Sequence, residues 1–185
     1  MDQRGVDKQA PKMHLIVCVD KRGAIGRGNR LLGNFPRDRA RFRQCTTGSV
    51  CVMGRLTFDS ILTYNNSPLP SRLSYVLTRN EEYAKDNEFP TVKYFSSSAE
   101  ALRNLPRGSD VHICGGPTVY REFLPLVDEI YITELQAEFD DADAHFYTVD
   151  ELTDSWDIAE DVWIDDCPSK MDMRFIKMVR PHVRK

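Results

Sequence analysis

The acid best placed to handle a proton is Asp38, in the run Gly33-Asn34-Phe35-Pro36-Arg37-Asp38-Arg39-Ala40-Arg41-Phe42. Pro36 suits the first turn of a helix, because its missing N–H would be unpaired there anyway. Asp38 and Phe42 then fall one turn apart on one face, so a carboxylate and an aromatic ring share a surface. General acid–base chemistry beside an apolar pocket wall needs such a pair. An acid in the first turn also complements the helix dipole without any chemistry, so Asp38 gains functional weight only from its company.

Two glycine turns follow. Met53-Gly54-Arg55-Leu56-Thr57 and Cys114-Gly115-Gly116-Pro117-Thr118 each join an apolar run to a helix-like one. A helix N-terminus offers free backbone N–H groups and the positive end of the dipole, and glycine lets a phosphate approach the backbone. Neither turn matches the Gly-x-Gly-x-x-Gly fingerprint or the Walker lysine loop, and glycine can serve the turn alone. Together, on one sheet, they suggest a dinucleotide lying across strand ends. Arg55 and Arg79, each just past a strand, are placed to grip a phosphate on the adenosine side. Arg72, in Leu69-Pro70-Ser71-Arg72, can clamp a carboxylate through two parallel hydrogen bonds. Each arginine taken singly also reads as a surface charge. Asp143-Ala144-His145-Phe146 says less, and His145 reads as structural.

These residues need a scaffold, and the apolar runs supply it. Strands are expected at residues 14–19, 49–53, 73–78, 91–95 and 111–114, and helices at 36–45, 54–61, 97–105 and 117–124. Residues 27–34 read as a flexible loop, and 62–72 as a polar one that includes the glycosylation-type triplet Asn65-Asn66-Ser67. The tail differs: 129–135, 156–164 and 171–179 are strand-like, with no helix between them. Strands alternating with helices, then a run of strands, predict an α/β domain with a mainly parallel central sheet and an antiparallel C-terminal edge, flanked by helices.

A chain of 185 residues fits a single domain. Residues 1–12 carry mixed charges and no periodicity, and read as a disordered extension ahead of a domain over 13–185. With 41% hydrophobic residues and a net charge of −3, there is no basic excess to draw in nucleic acid. No apolar run approaches the roughly 18 residues of a membrane span, and the first residues are too polar for a signal-peptide core, so a cytoplasmic protein is expected. The cysteines Cys18, Cys45, Cys51, Cys114 and Cys167 form no Cys-x-x-Cys pair and read as free thiols, largely buried. His14, His112, His145 and His182 are too scattered to suggest a metal site, and no metal is expected.

In this order, Ala24-Ile25-Gly26, Pro36-x-Asp38-x-x-x-Phe42, Met53-Gly54-Arg55-x-Thr57, Leu69-Pro70-x-Arg72 and Gly115-Gly116-x-x-x-Tyr120 resemble the dihydrofolate reductase family. Tyr131-Ile132-Thr133 and His145-Phe146 extend the similarity into the tail. The resemblance implies a sheet of about eight strands. It implies that Asp38 binds the amidine edge of a pterin and supports its protonation, with Thr133 hydrogen-bonded nearby. Phe42 and Ile61, together with Cys18 and Cys114, would line the substrate pocket, and Arg72 would pair with the glutamate carboxylate of the folate tail. Val17, Gly54, Arg55, Thr57, Thr78, Arg79, Gly115, Gly116, Thr118 and Tyr120 would lie along NADPH. Ile25 and Gly26 would border the nicotinamide, and the segment from Arg27 to Phe35 would be a mobile loop that closes over it. The activity implied is hydride transfer from NADPH to dihydrofolate by a monomeric enzyme, the cofactor supplying the hydride.

The sequence departs from the family pattern in three places. A tryptophan usually stands where Gly33 does, after a proline; here the stretch is Leu31-Leu32-Gly33, which leaves open space expected beside the pteridine. Arg39 takes a position that is usually apolar and faces the substrate's aromatic middle, and Leu56, Pro117 and Thr118 replace basic residues that many members place near the cofactor phosphates. Two other functions therefore stay open on sequence alone. A pyrimidine reductase of the riboflavin pathway resembles the same fold and uses NADPH, yet would not need Asp38, Phe42 and Arg72 together. A nucleotide-binding paralogue without catalysis is motivated by Gly33 and Arg39.

Overall fold

In the computed structural model, residues 11–166 and 170–181 are described; residues 1–10, Cys167 and His182 lie outside them. The strands are β1 (Met13–Val19), β2 (Ala24–Arg27), β3 (Arg30–Leu31), β4 (Val50–Gly54), β5 (Leu73–Leu77), β6 (Val92–Phe95), β7 (Val111–Ile113), β8 (Glu129–Leu135), β9 (Ala144–His145), β10 (Asp157–Asp166) and β11 (Met171–Val179). The helices are α1 (Pro36–Thr46), α2 (Arg55–Asn65), α3 (Glu81–Asp86), α4 (Ser98–Arg103), α5 (Pro117–Phe123) and α6 (Val149–Thr153). Eight strands form one sheet in the order β10-β11-β8-β1-β7-β4-β5-β6, as expected. From β8 to β6 neighbouring strands run parallel, while β11 is antiparallel to both β8 and β10. The C-terminal strand thus sits inside the sheet, and β10 is its edge.

Alternating side chains divide the sheet between two layers. Val50 and Val52 join Leu15, Val17, Ile130 and Ile132 under α4, α5 and α6, whereas Cys51 and Met53 pack with Phe58, Phe42 and Ile61 under α1 and α2. Helix α1 is the exception to apolar packing. Arg37, Arg39, Arg41 and Arg43 leave Thr46 as its buried residue. The helix is pinned instead by the Arg41 guanidinium, which donates to the carbonyls of Ile132 on β8 (2.5 Å) and Ile176 on β11 (3.0 Å). Among the described residues no helix is long and apolar enough to cross a membrane.

The structure corrects several expected boundaries. Residues 27–34 are not all loop: β2 and β3 form a hairpin, with β9 on the other side of β2. Gly28 (φ +55°) and Asn29 (φ +60°) make its two-residue turn, and two left-handed residues match the twist of the strands. Helix α2 runs past Ile61 to Asn65 and ends on Asn66 in the left-handed conformation, so the triplet there is a helix terminus. Helices α3 and α6 were not expected. Asn80 caps α3 through the Tyr83 amide, and Thr148 and Glu151 close a reciprocal capping box on α6. Within the predicted extension, the Lys12 carbonyl accepts the Val111 amide at 2.9 Å.

Candidate active site

The chemistry-bearing residues gather where the parallel strands end. The Gly54 amide donates to the Gly115 carbonyl at 2.7 Å, which locks the two glycine turns together. Gly115 has φ +105°, and a Cβ there would lie 3.0 Å from the Tyr120 hydroxyl, so a larger residue is excluded. The peptide that follows it is cis. The Tyr120 hydroxyl in turn donates to the Ile16 carbonyl at 2.9 Å, tying α5 to β1.

Between these turns and the hairpin lies a cleft of about 720 Å³. The residues set along a cofactor by the resemblance all line it: Val17, Ile25, Gly26, Gly54, Arg55, Thr57, Thr78, Arg79, Gly115, Gly116, Thr118 and Tyr120. The hairpin adds Arg27, Asn29, Arg30 and Leu31 to the wall, and Ser96, Ser97 and Ser98 form part of the far end. Arg55 is already engaged. Its Nη1 lies 3.0 Å from Asp59 Oδ2, and its guanidinium sits 5.4 Å from the centre of the Tyr83 ring. Tyr83 donates its hydroxyl to the other oxygen of Asp59, and burial and that carboxylate push the phenol well up. Sequence reasoning missed Asp59 and Tyr83, although the i,i+4 spacing of Arg55 and Asp59 was a usable signal.

The expected substrate residues are divided. Cys18 and Cys114 line the cleft; Asp38, Thr133, Phe42, Ile61 and Arg72 do not. Along α1, Asp38, Phe42 and Thr46 form one stripe at four-residue spacing. At one end Asp38 faces the Thr133 hydroxyl, which favours its charged form. Burial raises the Asp38 carboxyl, against the opposing pull of Thr133, Arg41 and Arg39. Burial, then the nearby Asp38 charge, push the Cys18 thiol well up. At the other end Arg72, itself buried, donates through Nη1 to Thr46 Oγ1 (3.1 Å) and through Nε to the Pro70 carbonyl (2.8 Å). Its guanidinium lies 6.0 Å from the Phe42 ring, and Phe42 and Ile61 pack into one cluster.

At Gly33 the path a side chain would take is occupied. A Cβ there would come within 2.7 Å of the Phe35 ring, which folds back over it from a site buried among Leu135 and Met173. Arg39 rests 5.8 Å from the Tyr64 ring on α2. His145 is exposed, and its backbone pairs with Ala24. Asp143 accepts the Gly28 amide at 2.9 Å and holds the hairpin turn, while buried Asp20 accepts the amides of Arg22, Ala24 and Phe139. Neither acid was singled out for this by sequence.

Known proteins resemble this chain over most of its length. The family model described as Dihydrofolate reductase matches residues 12–180. The dihydrofolate reductase of Haemophilus influenzae is 32% identical over 167 residues, covering 90% of this chain and 97% of that protein. That of Bacillus subtilis is 34% identical over 136 residues, covering 74% and 76%. A solved structure of the Enterococcus faecalis dihydrofolate reductase, complexed with NADP(H) and RAB-propyl, superposes with a TM-score of 0.78 at 26% identity, covering 91% of this chain and 96% of that one. With the match running from the first strand through the last, the chain belongs to the dihydrofolate reductase family.

Proposed function

We infer that this protein catalyses the NADPH-dependent reduction of 7,8-dihydrofolate to tetrahydrofolate. The observation that carries the reading is the α1 stripe, with an acid at one end and a buried arginine held by Thr46 at the other, beside a cleft whose floor holds two interlocked glycine turns. Asp38 and Thr46 are eight residues apart, roughly 12 Å along a helix, a span suited to a ligand with a basic heterocycle at one end and a carboxylate at the other. NADPH, when bound, supplies the hydride. Gly54, Gly115 and Gly116 leave backbone open to its phosphates, with Arg55 and Arg79 toward the adenosine. Asp38 accepts the amidine edge of the pterin in paired hydrogen bonds and supports the proton that accompanies the hydride. Thr133 orients that carboxylate, and Phe42 and Ile61 keep water from the ring. Arg72 uses two of its donors on Pro70 and Thr46 and has others for the folate tail.

Loss of NADPH absorbance that depends on added dihydrofolate, at micromolar enzyme, is the direct test; no such loss would refute the reading. We further propose a cytoplasmic monomer with a small-molecule substrate and no nucleic-acid partner, the last supported by the net charge of −3. Light scattering in solution and titration with duplex DNA check the monomer and the nucleic acid.

A further inference from the structure

Arg41 lies one turn beyond Asp38 on α1 and is directed at the sheet. Its guanidinium bonds the carbonyls of Ile132 and Ile176, sits 4.5 Å over the Phe175 ring, and brings Nη1 to 3.4 Å from Thr133 Oγ1. Thr133 is 2% exposed, and its hydroxyl is close enough to Asp38 to favour the charged carboxylate. A guanidinium offers donors only, and a hydroxyl has a single hydrogen. With an Arg41 N–H at one lone pair of Thr133 Oγ1, the threonine hydrogen is free to turn toward the Asp38 carboxylate.

We propose that Arg41 is a positioning residue for the proton-handling site: it fixes the direction of the Thr133 hydroxyl and supplies the half-buried positive charge that faces the Asp38 carboxylate. This rests on the reductase reading above. The charges near Asp38 are Arg39 and Arg41 on α1, Cys18 on β1 and Tyr120 on α5; those near Arg41 are Cys45 on its own helix, Tyr131 on β8 and Glu160 on β10. Burial pushes Cys18 and Tyr120 well up, so both stay neutral, and Arg39 is exposed and screened by solvent. Arg41 is left as the half-buried counter-charge that opposes the upward pull of burial on the Asp38 carboxyl.

The rival role is purely mechanical, since the same guanidinium docks α1 on β8 and β11. Single-turnover hydride transfer measured against pH separates the two, in the wild type and in Asp38→Asn, Arg41→Met, Arg41→Gln and Arg41→Lys, with NADPH affinity and folding followed in parallel. Wild-type turnover tests the reductase reading by itself, and its absence removes both claims. The acid inflection of the wild type should vanish in Asp38→Asn; if it persists, Asp38 is not the group being held and the inference falls. In Arg41→Met and Arg41→Gln the inflection should move up by about one pH unit or more, a tenfold change in proton affinity, while Arg41→Lys stays near the wild type and NADPH affinity is unchanged throughout. An unmoved inflection in a folded neutral variant overturns the inference. Failure of both neutral variants to fold assigns Arg41 to helix docking alone, and overturns it equally.

Discussion

Asp38 costs the folded chain stability in return for chemistry. Its carboxyl is raised above the ordinary 3.8, chiefly by burial, so the native state binds its proton more tightly than the unfolded chain does. Stability contributed by this group therefore falls as pH rises from 3.8 through the raised value. Asp38→Asn should accordingly be more stable than the wild type at neutral pH and converge on it below 3.8 in denaturant titrations, while hydride transfer drops by about 10²–10⁴-fold with NADPH affinity intact. An unchanged single-turnover rate would remove Asp38 from the mechanism. At the other end of the stripe, Arg72→Leu should weaken folate more than a pterin without the glutamate tail, by roughly 1.5–3 kcal/mol or about tenfold to a hundredfold. Equal losses would show that Arg72 serves Thr46 and Pro70 instead. The Asp59 carboxylate already neutralises Arg55 and would repel a 2′-phosphate, so Asp59→Asn should widen the preference for NADPH over NADH in measured Kd values; a narrowed gap would mean that orientation of Arg55 by Asp59 outweighs its charge. That Asp38 and Phe42 share a face of α1 was legible in the sequence from helical spacing, whereas Arg72 by itself read as a surface charge and took its expected role from the resemblance. Asp59 was signalled only by its i,i+4 spacing to Arg55, and the setting of Gly33 was not, since it depends on a ring two residues along the chain that folds back.

At the scale of elements, the hairpin of β2 and β3 depends on its turn. Gly28 has φ +55° with nothing within 4 Å of an added Cβ, so Gly28→Ala pays only for backbone conformation, about 1 kcal/mol. The hairpin lies outside the eight-stranded sheet, and the cost should appear as an NADPH dissociation rate several-fold faster with little change in Tm. A large fall in Tm would mean that the hairpin is part of the core. Most strands could be read from apolar runs, since parallel strands buried on both faces are continuous in sequence. The hairpin, α3 and α6 escaped because they are short and amphipathic patterns need length. Their punctuation was present nonetheless: Gly28-Asn29 at a two-residue turn, Asn80 before α3, and Thr148 three residues ahead of Glu151.

For the whole molecule, resistance to acid should be set from within the sheet. Burial, with His14 stacked against it at 4.9 Å, pushes His112 down to about 4, and its Nδ1 lies 3.1 Å from Ser49 Oγ. The unfolded chain takes up a proton near 6.5 that the native ring refuses, so stability is full above that value and falls as pH drops toward about 4. The loss by the lower limit is on the order of 3 kcal/mol. His112→Gln should flatten this slope in denaturant titrations between those limits; an unaltered slope would put the acid sensitivity elsewhere. The parallel half of the sheet was legible from the order of elements, whereas the position of β11 was not, because pairing among strands distant in sequence leaves no local signature. That position has a consequence for biosynthesis. A ribosome delivers β1 through β10 first, and until residues 171–179 clear the exit tunnel the flank of β8 stays bare and Arg41 lacks the Ile176 carbonyl that helps anchor it. The nascent chain is therefore expected to remain inert and open to chaperones until β11 arrives, so that activity switches on as a single event once that strand is in place.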